Sequence, residues 1–185
     1  MKPRDGLTAE LAGSDGEDMT NHYFEAPDDY EPAPGDPLSV FLGGGITGCP
    51  DWQAPAAEEL LDMGLIVFNP RRSSFPIGDP DEAPRQIAWE HRHLHLANMT
   101  LFWFPADQVQ PIALFELGAA LGEGRHIVVG AAPGYPRRLD VEHQVALAGS
   151  TRTVHFSLSD VLDEVIAHAA RAAMVPLAPP PAERD

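Results

Sequence analysis

The chain has 185 residues, enough for one globular domain with tails, and 12 Lys and Arg against 28 Asp and Glu give it a net charge of −16. No Lys/Arg-rich run is present to displace phosphate counterions, which excludes a nucleic-acid polymer as the natural partner and leaves a small ligand as the expectation. A single cysteine, Cys49, excludes an intramolecular disulfide, and no window approaches the roughly 18 apolar residues of a membrane span, so a cytoplasmic protein with no membrane partner is expected.

Residues 1–36 are rich in Asp, Glu, Gly and Pro and run into the acidic stretch "EAPDDYEPAPGDP". So few large apolar side chains cannot offset the entropy of ordering, and the segment reads as a disordered acidic leader to a domain at 37–174. The first strand is "LSVFLGG" at 38–44. A glycine loop follows it, Gly43-Gly44-Gly45-Ile46-Thr47-Gly48, and then a helix at 52–63. Glycines there let a sugar or phosphate approach the backbone, with Gly44, Gly45 and Thr47 as candidate ligand contacts; the plain alternative is a tight turn. The loop matches neither the dinucleotide fingerprint nor a P-loop, so no nucleotide cofactor is expected.

The second strand, "LIVFN" at 65–69, ends in Asn69, with Arg71 and Arg72 just beyond. Two guanidinium groups suit a phosphate or carboxylate on a ligand; alternatively they pair with the acidic "GDPDE" downstream. A helix at 84–97 carries Glu90 and the histidines His91, His93 and His95. Only His91 and His95 share a helical face, and with no HExxH and no nearby cysteine a metal is not expected. Cys49 beside the glycine loop is either a nucleophile partnered by a distant histidine such as His143 or a small buried thiol.

The third strand, "MTLFWF" at 99–104, closes on Trp103 and Phe104, placed either to stack on a base or to pack the core. The next helix, at 111–123, is apolar or small at every position until Glu123, except Glu116. Burying a lone carboxylate is costly unless it is put to use; the alternative is a rotated helix with Glu116 at a solvent edge. Glu90, Leu94, Ala97 and Leu101 are spaced i, i+4, i+7, i+11, which puts Glu90 on the face leading into the core strand if the helix persists. Otherwise Glu90 is a surface residue paired with Arg92 or a histidine. Two carboxylates about 5 Å apart are what a retaining glycosyl transfer requires, one attacking the anomeric carbon and one protonating the leaving group.

A fourth strand at 126–131, a helix at 140–149 opening with Asp140, a fifth strand at 152–156 and a helix at 158–173 capped by Ser157 or Ser159 complete the domain. The Pro-rich 175–185 forms a tail. Strands apolar on both faces, alternating with helices, predict an α/β, doubly wound sandwich: a five-stranded parallel sheet with helices on both faces. Ligands in such folds bind beyond the carboxyl ends of the strands.

The glycine loop, "WEHRHLHLANMTLFWFP" and "PIALFELGAALGEG" together resemble the nucleoside 2-deoxyribosyltransferase-like superfamily, and "NPRR", "LFWFP", "LFELG" and "YPRRLDV" resemble a bacterial branch of it. The resemblance covers roughly residues 38–157. It implies a flavodoxin-like sheet and cleavage of the bond between a nucleobase and a ribose or deoxyribose, without cofactor, in a homo-oligomer. It implies Glu116 as the nucleophile and Glu90 as the acid that protonates the base, with Gly44, Gly45, Thr47, Asn69, Arg71, Arg72, Trp103 and Asp140 around the substrate, Asp140 from the same or a neighbouring subunit. The chain departs from the characterised pattern in carrying Glu90 where Asp is common, Phe41 where a tyrosine touches the nucleophile, and "AN" where Ala-Asp is usual. Ser73 and Ser74 are candidates for phosphate binding. Alternatives are a nucleoside 5'-monophosphate hydrolase, a phosphoribohydrolase of the lysine-decarboxylase-like group, and a non-catalytic nucleotide sensor, which Phe41 favours.

Overall fold

Runs dense in Val, Ile, Phe and Leu form the strands of one parallel sheet, as expected for strands covered on both faces. The computed structural model describes residues 22–174, apart from 75, 77, 78 and 150–152. In chain order the elements are β1 (Tyr23–Glu25), β2 (Ser39–Gly44), α1 (Gln53–Asp62), β3 (Ile66–Asn69), α2 (Glu82–Leu96), β4 (Met99–Phe104), α3 (Pro111–Gly122), β5 (Ile127–Ala131), α4 (Arg138–Leu147), β6 (Val154–His155) and α5 (Leu158–Ala173). The strands lie in the order β1-β3-β2-β4-β5-β6, all parallel. Without β1 this is the expected flavodoxin-like winding.

The sixth strand is the departure. It comes from the part of the expected leader that the structure describes, where residues 22–36 lie folded against the domain. β1 pairs with β3 from Tyr23↔Val67 to Glu25↔Asn69. Ala26 and Tyr30 are buried, and the Tyr30 ring packs on Phe24 and Phe68. The α2 helix holds the segment further: Trp89 Nε1 donates to the Asp28 carbonyl, Arg92 pairs with Asp29 and Glu31, and Tyr30 N–H donates to His93 Nε2. Composition averaged over 36 residues hid three apolar anchors and an acidic run that has a cationic partner on α2. Residues 1–21 and the tail at 175–185 lie outside the described residues.

Two layers of helices cover the sheet. α1 and α5 close one face over Val40, Leu42, Leu101, Trp103 and Val128; α2, α3 and α4 cover the other, over Phe41, Phe68, Phe102, Phe104 and Val129. The period of two along each strand makes this sorting. α3 starts with Pro111 at its first turn and ends in a Schellman arrangement, Arg125 N–H to Ala120 O and Gly124 N–H to Leu121 O, with Gly124 at φ 68°. Ser157 caps α5 by accepting from Asp160 N–H. α2 stops at Leu96, where Ala97 turns extended, so the four-residue spacing read from Glu90 holds only as far as Leu94. Leu101 sits in β4 with its side chain in the opposite core. Asn98 closes the link between strands: its Oδ1 accepts from Ser39 N–H and Oγ–H, tying the start of β2 to that of β4.

Candidate functional site

β2 lies between β3 and β4, so its carboxyl end is where the winding of the sheet reverses, and a cavity of about 490 Å3 opens there. Its walls are Gly43, Gly44, Ile46 and Thr47 after β2, Pro70 and Arg72 after β3, Gln86 and Glu90 on α2, and residues 108–113 with Glu116 at the start of α3. Phe41 floors it. The volume falls within the roughly 300–1,000 Å3 of small-ligand sites. Gly44 is at φ 145°, and a Cβ there would meet the Trp103 carbonyl oxygen at 2.0 Å, so only glycine lets β2 turn into the cavity wall beside β4.

Glu90 and Glu116 face this same cavity from successive helices. Burial pushes the Glu116 carboxyl up to about 7, and the charge of Glu90 adds to the shift. Burial also raises Glu90, opposed by a hydrogen bond from Gln86 Nε2 to Glu90 Oε1 at 2.8 Å. Among the described residues no hydrogen bond or ion pair holds Glu116. Two interacting carboxyls in one desolvated pocket titrate as a coupled pair, the charge on one holding the other's proton more tightly. Phe41, wholly buried, has no hydroxyl to offer either acid.

Of the other residues singled out in the sequence, Gly44, Thr47 and Arg72 line the cavity. Arg72 is already in an ion pair with Glu82, the pairing with the downstream acidic run that the sequence left open. The remainder stand elsewhere. Gly45 is buried, its carbonyl accepting from Trp52 Nε1 and Gln53 Nε2. Asn69 Nδ2 donates to Tyr23 Oη and its Oδ1 accepts from Arg71 N–H, which fastens β3 to β1. The Arg71 guanidinium donates to the carbonyls of Ile46, Cys49 and Pro50 and to Gln53 Oε1, so it clamps the glycine loop from outside the cavity. Trp103 has the strand parity of Leu101 and packs in the α1/α5 core, the face away from Glu90 and Glu116. Asp140, half exposed, lines a separate groove between α3 and α4 and pairs with Arg137.

The histidines of α2 divide as their spacing requires. His91 and His95 rings sit 4.3 Å apart on the exposed face, whereas His93 is fully buried, bonded through Nδ1 to the Trp89 carbonyl and through Nε2 to Tyr30 N–H. Burial lowers its pKa, consistent with a neutral ring that serves the core. Among the described residues no cluster of three His, Cys, Asp or Glu could hold a metal. Cys49 is partly buried, with burial raising its thiol pKa. Ser73 N–H and Oγ–H both donate to Glu25, joining the loop after β3 to β1.

Three glutamines were not foreseen. Gln86 sits one turn before Glu90, Gln108 Nε2 donates to the Thr47 carbonyl and closes the glycine loop, and Gln110 precedes α3. A pattern of i, i+4 between Gln86 and Glu90 was the available sequence signal; Gln108 and Gln110 lie in a loop whose path only the fold defines.

The sequence profile described as nucleoside 2-deoxyribosyltransferase-like matches residues 37–135. By fold the chain is similar to a 2-deoxyribosyltransferase from the psychrotolerant bacterium Bacillus psychrosaccharolyticus, with 16% identity, a TM-score of 0.53 and coverage of 70% of this chain and 90% of that one. It is also similar to a conserved protein from Enterococcus faecalis V583, with 12% identity, a TM-score of 0.55 and coverage of 71% and 99%. No curated protein sequence matches the chain. At these identities the structural likeness is one of fold.

Proposed function

The chain belongs to the nucleoside 2-deoxyribosyltransferase-like family, and from that premise we propose that it transfers the glycosyl group of a nucleoside with retention, using Glu116 and Glu90. The observation that carries this reading is that two carboxyls from successive helices share one desolvated cavity, with Glu116 pushed up to about 7 partly by the other. A buried acid with no protein partner, beside a second one, is what double displacement at an anomeric carbon uses.

Glu116 oxygen bonds to C1' as the bond from C1' to the base nitrogen breaks, and that electron pair leaves with the base. Glu90 supplies the proton the base takes up. Positive charge developing at C1' beside Glu116 favours its ionised form, so the proton that burial favours on Glu116 passes to Glu90 as the reaction begins and from Glu90 to the departing base. An acceptor base then attacks C1', the ester breaks, and Glu90 takes up the acceptor's proton; with water in the acceptor's place the same steps give hydrolysis. Phe41 leaves Glu116 without the hydroxyl contact of the related enzymes, so its orientation comes from the packing of α3.

The substrate is a nucleoside in preference to its 5'-monophosphate. Arg72 is the cation among the described lining residues, and Glu82 already neutralises it, while two carboxyls face the same space. We further assign self-association to α3. Ile112 and Phe115 are 66% and 77% exposed on a helix with one charged residue in twelve, Ile112 also standing at the cavity wall. Phe115→Asp is expected to shift the sedimentation coefficient toward the monomer; an unchanged coefficient rejects the assignment.

The test is to incubate the protein with 2'-deoxynucleosides, ribonucleosides and their 5'-monophosphates, with and without an acceptor base, and to follow released base by chromatography. Release requiring an acceptor marks a transferase, and release into water a hydrolase. No release from any substrate rejects catalysis, and release that survives Glu116→Ala rejects the mechanism.

A further inference from the structure

Residues 22–36 precede the stretch that the family profile matches, which begins at residue 37, and none of them lines the cavity. They nevertheless grip two of its walls from behind. On α2, Trp89 Nε1 donates to the Asp28 carbonyl at 2.8 Å and His93 Nε2 accepts from Tyr30 N–H at 3.2 Å. Arg92 donates to Asp29, to Glu31 and to the Tyr30 carbonyl. Of the four buried α2 side chains, Glu82 pairs with Arg72 and Leu94 packs in the core, while Trp89 and His93 stack on each other and both bond to this segment. On the second wall, Glu25 accepts from Ser73, and Ala26 N–H donates to the Asn69 carbonyl. Pro70 lies between those two anchors, and its carbonyl accepts from the same Gln86 Nε2 that donates to Glu90.

Trp89 and Glu90 are neighbours in sequence, so their side chains leave α2 about 100° apart, and holding the one face fixes the rotation of the other. A side-chain end about 5–6 Å from a helix axis moves by about 1 Å when the helix turns by roughly 10°. Misplacing a reacting group by about 1 Å is enough to cost about 10²-fold in rate. We propose that residues 22–36 are a strap that sets Glu90 against Glu116, with Tyr30 as the positioning residue that seats it; the consequence for rate rests on the glycosyl-transfer reading above. The buried Tyr30 ring packs on Phe24 and Phe68, while its backbone N–H and carbonyl bond to His93 and Arg92. One residue thereby joins the strap, β3 and α2.

The test is Tyr30→Ala in the full-length chain, beside Tyr30→Phe, which keeps the ring, and Leu60→Ala, which loosens the opposite core. Two quantities are read: the NMR titration midpoint of Glu116, and base release divided into kcat and KM. In Tyr30→Ala the midpoint is expected to move down, because the charge of Glu90 that helps to raise it no longer stands at a fixed distance. There kcat per folded molecule should fall about 10²-fold, with KM changed by less than about 3-fold. Tyr30→Phe should match wild type in both, and Leu60→Ala should lower the urea midpoint while moving neither. A Glu116 midpoint that stays put in Tyr30→Ala, or that moves as far in Leu60→Ala, overturns the proposal whether or not any nucleoside is cleaved. Should Tyr30→Ala fail to fold, Arg92→Met removes three bonds to the strap from a part-exposed position and is read by the same two outcomes. Loss of the Arg92 charge by itself would raise a carboxyl midpoint, so a downward move there reports the strap. If the midpoint moves as expected while wild type cleaves no nucleoside, the catalytic reading falls and the placing of Glu90 by the strap stands.

Discussion

The two faces of the sheet are built from the same strands and do opposite things. Under α1 and α5, Val40, Leu42, Leu60, Leu101, Val161 and Val165 are wholly buried in an apolar cluster. Under α2 and α3 the same sheet offers Phe41, Phe102 and Phe104, but the helices bring Glu90, Glu116, Gln86 and Gln110 to the strand ends. One face is closed and serves stability. The other is left open where the winding reverses, and there Glu116 is desolvated without a hydrogen-bond partner among the described residues. Under the proposed function, strand parity separates stability from reactivity, and substitutions on the two faces should give contrasting phenotypes.

The sharpest break comes from Glu116→Ala, expected to lower base release by about 10^4-fold or more while leaving the fold intact, because it removes the attacking oxygen. Release within about 10-fold of wild type, less than even one proton-transfer contribution of roughly 10²–10⁴-fold, would merge the two faces in function. On the closed face Leu60→Ala is expected to cost about 2–5 kcal/mol, read as a lower urea midpoint, with kcat per folded molecule unchanged. A fall in kcat without loss of stability would contradict the separation.

A smaller effect has the opposite sign on the open face. The folded protein holds the Glu116 proton more tightly than the unfolded chain, since its pKa is raised from 4.5 to about 7. That contribution to stability is complete below pH 4.5 and is lost as pH rises through 7. Glu116→Gln cannot ionise, so it should be more stable than wild type at pH 8 by roughly 1–3 kcal/mol, with the gain shrinking toward pH 5. Equal urea midpoints at both pH values would show that Glu116 is solvated. The smallest effect is one of coupling: in Glu90→Gln the NMR titration midpoint of Glu116 should move down, because the neighbouring charge that holds it up is gone. A midpoint that stays put would mean that the two acids are not coupled.

Much of this was legible in the chain. Among the described residues, five of the six strands and all five helices fall where apolar runs and helical spacing put them, because strands buried on both faces leave a strong signal. Glu116 stood out as a single acid in an apolar helix, and that contrast needs no tertiary knowledge to be seen. The residues at 22–36 were hidden because Ala26, Tyr30 and the partners of Arg92 are sparse anchors within an acidic, Pro-rich average. Proximity to a strand end was a poor guide to which side chains point at the cavity. Trp103 and Asn69 both end strands, yet parity sends the first into the closed core and a tyrosine hydroxyl holds the second at the edge.

The sequence by itself determined the alternation of strands and helices and the acid on α3, since both are written in local pattern: apolar runs, period 3.6 and one charge out of place. Only the tertiary structure decided that Arg71 braces a loop, that Arg72 pairs with Glu82, and that Glu90 and Glu116 face one cavity. Hydrogen-bond satisfaction is a property of three-dimensional neighbours. A side chain's role in a cavity depends on which partners the fold withholds from it, and spacing along the chain does not encode that.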